Sequence, residues 1–292
     1  MSSATPTLQA PSPGGSAVLR ILNNPKWLIT ILITTILLAA NFLADFRTGP
    51  ELLVATLGSA VATELGFSWW LRGSFSAIQS AYISGISMTI LTKPQQGLLW
   101  PYVLGASISI ASKYVFTWRG RHLWNPTNFG ISIMLLVAPG SVSVLSSQFG
   151  NGNATLMVIW VIGMLVASRA RILHVTFAYL GAFLALAALR SAITGNTYLT
   201  EIAPITGPMY QLFLFFMITD PRTTVRSKSG RSFVAVLIAV VETAIRLTNE
   251  FPIPGSQMLL TAPPIFALAI VGPIAMLIDL ERAHREKQRS AA

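Results

Sequence analysis

The chain has 292 residues, 53% of them hydrophobic and only 10% charged, with a mean hydropathy of +0.63. Soluble domains carry about 25% charged residues, so this composition excludes a soluble globular protein and points to an integral membrane protein with small extramembrane parts. The net charge of +10 then belongs to loops that orient helices and meet anionic lipid headgroups, not to a nucleic-acid binder, and the lack of cysteine excludes disulfides, thiolate metal sites and cysteine-held iron–sulfur clusters.

Residues 1–19 are rich in Ser, Pro, Gly and Ala and carry no charged side chain, which predicts a disordered cytoplasmic tail. The first apolar run follows Arg20 and Lys26; no small-residue cleavage site follows Phe42 and Leu43, so the run reads as a retained anchor. A bilayer span needs about 20 apolar residues. On that measure residues 20–280 form one membrane domain of ten helices, at 27–44, 51–71, 75–92, 97–117, 124–140, 154–168, 173–193, 199–219, 232–248 and 258–279. A basic cytoplasmic tail, 281–292, follows. Prolines at 101, 204, 208, 263, 264 and 273 fall in spans four, eight and ten, predicting the interrupted helices that line cavities.

Ten spans with the N-terminus inside place sixteen Lys and Arg residues on the cytoplasmic side and only Arg47, Lys93, Arg190 and Arg246 on the other. That bias fits the positive-inside rule and puts both termini in the cytoplasm. In this arrangement Thr92-Lys93-Pro94 closes span three at the outer face and Thr219-Asp220-Pro221 closes span eight at the inner face. The two breaks occupy matching places in two five-helix halves of opposite orientation. An inverted repeat of this kind places a ligand site near the midplane, where the halves meet.

Three segments carry a family resemblance. Lys113 ends span four, Trp124-Asn125-Pro126-Thr127-Asn128-Phe129-Gly130 opens span five, and Phe216-Met217-Ile218-Thr219-Asp220-Pro221 closes span eight. Their order and approximate spacing over residues 50–280 resemble the NqrB/RnfD membrane subunits of sodium-pumping quinone reductases and Rnf electron-transport complexes. The compact form, with Arg121-His122-Leu123-Trp124-Asn125-Pro126, is most similar to a short branch that includes UnbU-like proteins of enediyne-antibiotic gene clusters. The resemblance implies an all-α, urea-transporter-like fold of two inverted five-helix repeats in a bacterial inner membrane. It also implies FMN or riboflavin as a cofactor. The large members carry FMN esterified to a threonine in a Ser-Gly-Ala-Thr-type motif after span five. Here the matching segment is Gly152-Asn153-Ala154-Thr155-Leu156, which keeps the Ala-Thr pair but not the Ser-Gly before it. Thr155 is therefore open to two readings, a cap on span six or a point of covalent FMN attachment.

Ionisable groups in apolar helices are costly and face a partner, a cavity or a site. Glu64 lies about two turns inside the end of span two, where it would accept a proton, bind a cation or bond a neighbouring helix. Glu242 is either part of an ion or proton pathway or the i,i+4 partner of Arg246. Lys113 would snorkel to the cytoplasmic surface or contact a phosphate or a helix terminus. Asn125 and Asn128 flank Pro126 and suit a helix start, either as an ordinary N-cap or with free amides facing an anionic or polar ligand. Asp220, with Thr219 and Thr223, would bind a flavin ring, a sodium ion or the backbone of span five, or would stop a helix and pair with Arg222 or Arg226. His122, His174 and His284 are scattered without the spacing of a haem or zinc site. The expected function is a membrane subunit of an electron- or ion-transport system. It would depend on partner redox or transport subunits for nucleotide oxidation, and would not be a complete enzyme alone. The alternatives are a small-solute transporter or channel without cofactor, and a membrane accessory of a biosynthetic pathway.

Overall fold

A computed structural model of the chain describes residues 25–43, 49–75, 78–94, 97–144, 153–251 and 253–291. The expected N-terminal tail lies outside them, as do Arg47, Gly150 and Gly152. The described chain is all-α apart from two short ribbons. In order it runs α1 (Pro25–Leu43), α2 (Pro50–Arg72), α3 (Gln79–Leu91), β1 (Thr92–Pro94), α4 (Trp100–Val115), β2 (Thr117–Trp118), β3 (Arg121–His122), α5 (Pro126–Val137) and β4 (Val142–Val144). There follow α6 (Asn153–Arg169), α7 (Leu173–Thr194), α8 (Tyr198–Ile202), a 3-10 turn (Ala203–Thr206), α9 (Pro208–Leu212), a π turn (Phe213–Met217), α10 (Lys228–Leu247), α11 (Gln257–Leu260) and α12 (Pro263–Ala291).

Every predicted span contains helix, but the lengths differ. Pro50–Arg72, Leu173–Thr194 and Pro263–Ser290 are long and apolar enough to cross a membrane. Shorter apolar helices lie at Ile29–Ala39, Pro126–Val137, Leu156–Arg169 and Pro208–Met217. A continuous helix over 199–219 does not form. Pro204 and Pro208 each lack an amide donor and clash with the preceding turn, so the segment breaks into α8, a 3-10 turn, α9 and the π turn. Pro101 does not interrupt α4 but opens it, in the first turn where a missing N–H costs nothing. Pro263 likewise opens α12, whereas Pro273 lies inside it. The helix continues through 281–291, so the residues expected as a tail are helical.

The helices pair in two sets, one in each half of the sequence. In the first half α2 packs on α3 and α4, α4 on α5, and α1 on α3. In the second half α7 packs on α8 and α10, α10 on α12, and α6 on α9 and the π turn. Contacts of α1 with α6 and of α5 with α12 join the two sets. The halves also differ: β1 pairs antiparallel with β4, Thr92 opposite Val144, and among the described residues no ribbon follows the π turn. Both chain breaks nevertheless use the same local bond. Thr92 Oγ1 donates to the carbonyl of Met88, and Thr219 Oγ1 to that of Phe215, four residues earlier in each case. Helices α4 and α5 approach so closely that a Cβ at Gly130 would lie 1.9 Å from Ser109 Oγ and 2.7 Å from the Gly105 carbonyl oxygen. Only glycine fits that crossing.

Candidate functional site

A cavity of about 390 Å³ lies where the first half meets the second. Its body is apolar, formed by Ile29 and Ile33 of α1, Ile83, Ile90 and Leu91 of α3, Val166 of α6, and Leu212, Phe215 and Phe216 at the broken segment. Its polar lining comes from Gln79, Ser80, Lys113, His122, Asn125, Thr127, Thr219, Asp220 and Arg222. The volume and the mixed lining are those of a small-molecule pocket, for which roughly 300–1,000 Å³ is usual.

Local sequence chemistry positions the polar groups. Asn125 is the N-cap of α5, its Oδ1 accepting the Asn128 N–H at 3.0 Å. Its Nδ2 donates to Asp220 Oδ2 at 3.3 Å. The same carboxylate oxygen accepts from the Thr223 hydroxyl at 3.0 Å, and Oδ1 accepts the Arg222 backbone N–H at 3.0 Å. Asp220 thus staples the turn after the π segment to the start of α5. The expected pairing of Asp220 with an Arg222 or Arg226 side chain does not occur: Arg226 pairs with Asp279 at 2.9 Å, because α12 brings that carboxylate alongside. Arg121 reinforces the turn, donating to the carbonyls of Pro221, Arg222 and Thr224 at 2.9, 3.1 and 3.2 Å. Asn128 is fully buried and ties α5 to the start of α12, Nδ2 donating to the Ile265 carbonyl at 3.0 Å.

Lys113 does not snorkel. Its ammonium lies 2.5 Å from Glu64 Oε2 and 3.0 Å from Ser80 Oγ, and both charged side chains are only 7% exposed. Glu64 Oε1 accepts from the Tyr114 hydroxyl at 2.8 Å. The network joins α2, α3 and α4, and Lys113 and Ser80 are its members at the cavity wall. His122 also reaches the cavity. Burial, and then the positive charge of Lys113, hold its imidazole below the usual histidine range, so it is neutral at pH 7. Its Nδ1 is buried with no hydrogen-bond partner among the described residues.

Lys113, Asn125, Thr219 and Asp220 line one cavity, with Asn128 and Thr223 one hydrogen bond behind them. Glu64 stands behind Lys113. Glu242 is elsewhere. Its carboxylate accepts from the Tyr179 and Tyr210 hydroxyls and from Arg246 Nε at 3.0 Å, and Arg246 also donates to the Tyr210 oxygen. Nearby, fully buried Arg190 bonds Glu201 Oε2 and Thr243 Oγ1, each at 2.9 Å, with its guanidinium 4.8 Å from the Phe183 ring centre. The i,i+4 pairing of Glu242 with Arg246 is present, within a larger network linking α7, α9 and α10.

Thr155 falls in the first turn of α6, which begins at Asn153, and so is not at the cap position. Its side chain lies outside the described residues. Sequence reasoning missed His122, Arg222 and Ser80 as cavity residues. The first two had a usable signal, since each sits within three residues of a motif that it did single out.

No protein-family model matches the chain, and no curated protein matches it.

Proposed function

We propose that the chain is a ten-span membrane subunit of an electron- or ion-transport system, resembling RnfD/NqrB, with a flavin-type ligand in the cavity between two inverted five-helix halves. The observation that carries this reading is the convergence of Lys113, Asn125 and Thr219-Asp220, three separate motifs of the resemblance, on one cavity of about 390 Å³. The inverted repeat is supported by the matching helix pairings of the two halves and by the shared Thr92 and Thr219 back-bonds. Sixteen cationic residues on one side against four on the other support ten spans with both termini in the cytoplasm of a bacterial inner membrane.

The cavity suits a flavin chemically. Phe215, Phe216 and the isoleucines offer apolar faces, and Ser80, Asn125 and Asp220 line the same space with donors and acceptors. A flavin supplies one- and two-electron transfer when bound. The chain's own residues orient it and exclude water, and Lys113 and Arg222 place positive charge beside it. Partner redox subunits complete the electron path. Protein purified in detergent is expected to show flavin absorbance in the visible region that is released on acid precipitation. Absorbance retained by the precipitate, and abolished by Thr155→Ala, would instead identify the covalent linkage. A colourless preparation contradicts flavin binding.

A second reading, a small-solute transporter of the same fold, is favoured by the broken helix at Pro204–Met217, whose Leu212, Phe215, Phe216 and Met217 line the cavity, since interrupted helices line substrate sites in transporters. Uptake of solute by proteoliposomes of the colourless protein tests it.

A further inference from the structure

Three serines of α3, Ser80, Ser84 and Ser87, line the cavity at i, i+4 and i+7, so their side chains fall on one helical face. Ser80 Oγ accepts from Lys113 at 3.0 Å and keeps its own O–H to donate. The Ser84 and Ser87 hydroxyls make no hydrogen bond among the described residues, although Ser84 is only 7% exposed. Thr127 of α5, 6% exposed and also on the cavity wall, is in the same condition. We propose that this face of α3, together with Thr127, binds the polyhydroxylated chain of a ligand whose apolar body lies against Phe215 and Phe216. This rests on reading the cavity as a ligand site.

Hydroxyls inside a helix commonly bond back to the carbonyl one turn earlier, and here Thr56, Thr63, Thr89 and Ser109 do so at 2.7, 2.7, 3.0 and 2.8 Å. Thr89 shares α3 with the serines, so the helix itself permits that bond. Ser84 and Ser87 do not use it. Nor are they the small residues that let α3 pack closely on its neighbours. That face carries Ala81 and Gly85, where a Cβ on Gly85 would lie 2.9 Å from Leu57 of α2. The serine face instead opens on the cavity, and a buried hydroxyl without a partner is costly, so a ligand that supplies partners is favoured there. From Ser80 to Ser87 the face runs about 10 Å, at a rise of about 1.5 Å per residue, which is the reach of about five or six hydroxylated carbons. A serine hydroxyl both donates and accepts, and so does each hydroxyl of such a chain, so the two satisfy one another without bringing charge into the apolar body. A carboxylate only accepts, and the cations that would suit it, Lys113 and Arg222, lie on other elements.

The test compares riboflavin with lumiflavin, the same ring without its hydroxylated chain, and with ribitol, the chain without the ring. Binding is measured by calorimetry on the full-length protein in nanodiscs, against empty discs. Riboflavin is expected to bind at least about tenfold more tightly than lumiflavin, as two ordinary hydrogen bonds would give. Ser84→Ala combined with Ser87→Ala should remove most of that preference by weakening riboflavin and leaving lumiflavin unchanged, whereas a general loosening of the fold would weaken both. Equal affinity of riboflavin and lumiflavin in the wild-type protein overturns the proposal and leaves the flavin reading intact. A double variant that retains the preference overturns it as well. The wild-type comparison decides without the variants. If ribitol alone binds and the double variant abolishes its binding, flavin is excluded and the hydroxyl face stands as the site of a free polyol. If none of the three binds, the ligand-site reading and this proposal fall together.

Discussion

Replacing Glu242 with alanine is expected to destabilise the folded protein by about 3–5 kcal/mol, the usual cost of removing one partner from a buried ion pair. The carboxylate is fully buried and accepts from Tyr179, Tyr210 and Arg246. Its loss takes the acceptor from the Tyr179 and Tyr210 hydroxyls and from Arg246 Nε, among Phe183, Phe213 and the α7–α10 interface, and leaves Arg246 only its bond to the Tyr210 oxygen within the cluster. Glu242→Gln preserves the shape and one acceptor oxygen but turns the other into an NH2 donor and removes the charge, so its loss is smaller than that of the alanine variant. Arg119→Ala is the comparator. Arg119 and Glu281 are 32% and 38% exposed, and surface pairs of that kind contribute little to stability. Thermal unfolding in detergent should rank the variants Glu242→Ala, Glu242→Gln, Arg119→Ala from most to least destabilised. A melting temperature for Glu242→Ala equal to wild type would show that the cluster is not closed in the membrane.

Asp220→Ala should loosen the cavity more than any other single change at its polar lining. It removes the acceptor of three hydrogen bonds at once, to Asn125, Thr223 and the Arg222 amide. Bonds to a charged acceptor contribute roughly 1.5–3 kcal/mol each when well formed, and the partial exposure of Asp220 lowers the figure here. The expected readout is faster amide hydrogen exchange over Thr127–Gly130, because Asn125 no longer has a partner holding it in the capping position. Any ligand of the cavity should bind at least about tenfold more weakly, a difference of about 1.4 kcal/mol. Thr223→Val deletes one of the three partners and should produce a smaller change in both measurements. Unchanged exchange in Asp220→Ala would mean that the capping bond of Asn125 to Asn128 suffices alone.

The helices were legible because apolar runs of bilayer length are the strongest signal a sequence carries, and each predicted span contains helix. What the runs concealed was local. Residues 199–219 look continuous in hydropathy, yet Pro204 and Pro208 divide them, and the following π turn has no sequence mark at all. Thr92–Pro94 was legible as a helix end but not as a strand, since its partner Val142–Val144 lies beyond two helices. At the site, Asn125 and Asp220 were readable from their own neighbours, as a cap before proline and an acid after an apolar run. Their bond to each other was not, because it spans 95 positions. The same holds for Lys113 and Glu64, 49 positions apart: one residue at a helix end suggests snorkelling, and only the packing of α2 against α4 supplies the carboxylate that prevents it. Glu242 and Arg246 were found as an i,i+4 pair because helical spacing alone brings them together, whereas Tyr179 and Tyr210 had no such signal.

The most direct test of two inverted halves is the sidedness of the two chain breaks. The protein contains no cysteine, so Lys93→Cys and Arg222→Cys each introduce a single thiol, at positions that are both exposed. With a membrane-impermeant maleimide, Lys93→Cys should label in intact spheroplasts, and Arg222→Cys only in inside-out vesicles. Labelling of both positions from the same side would contradict the inverted arrangement.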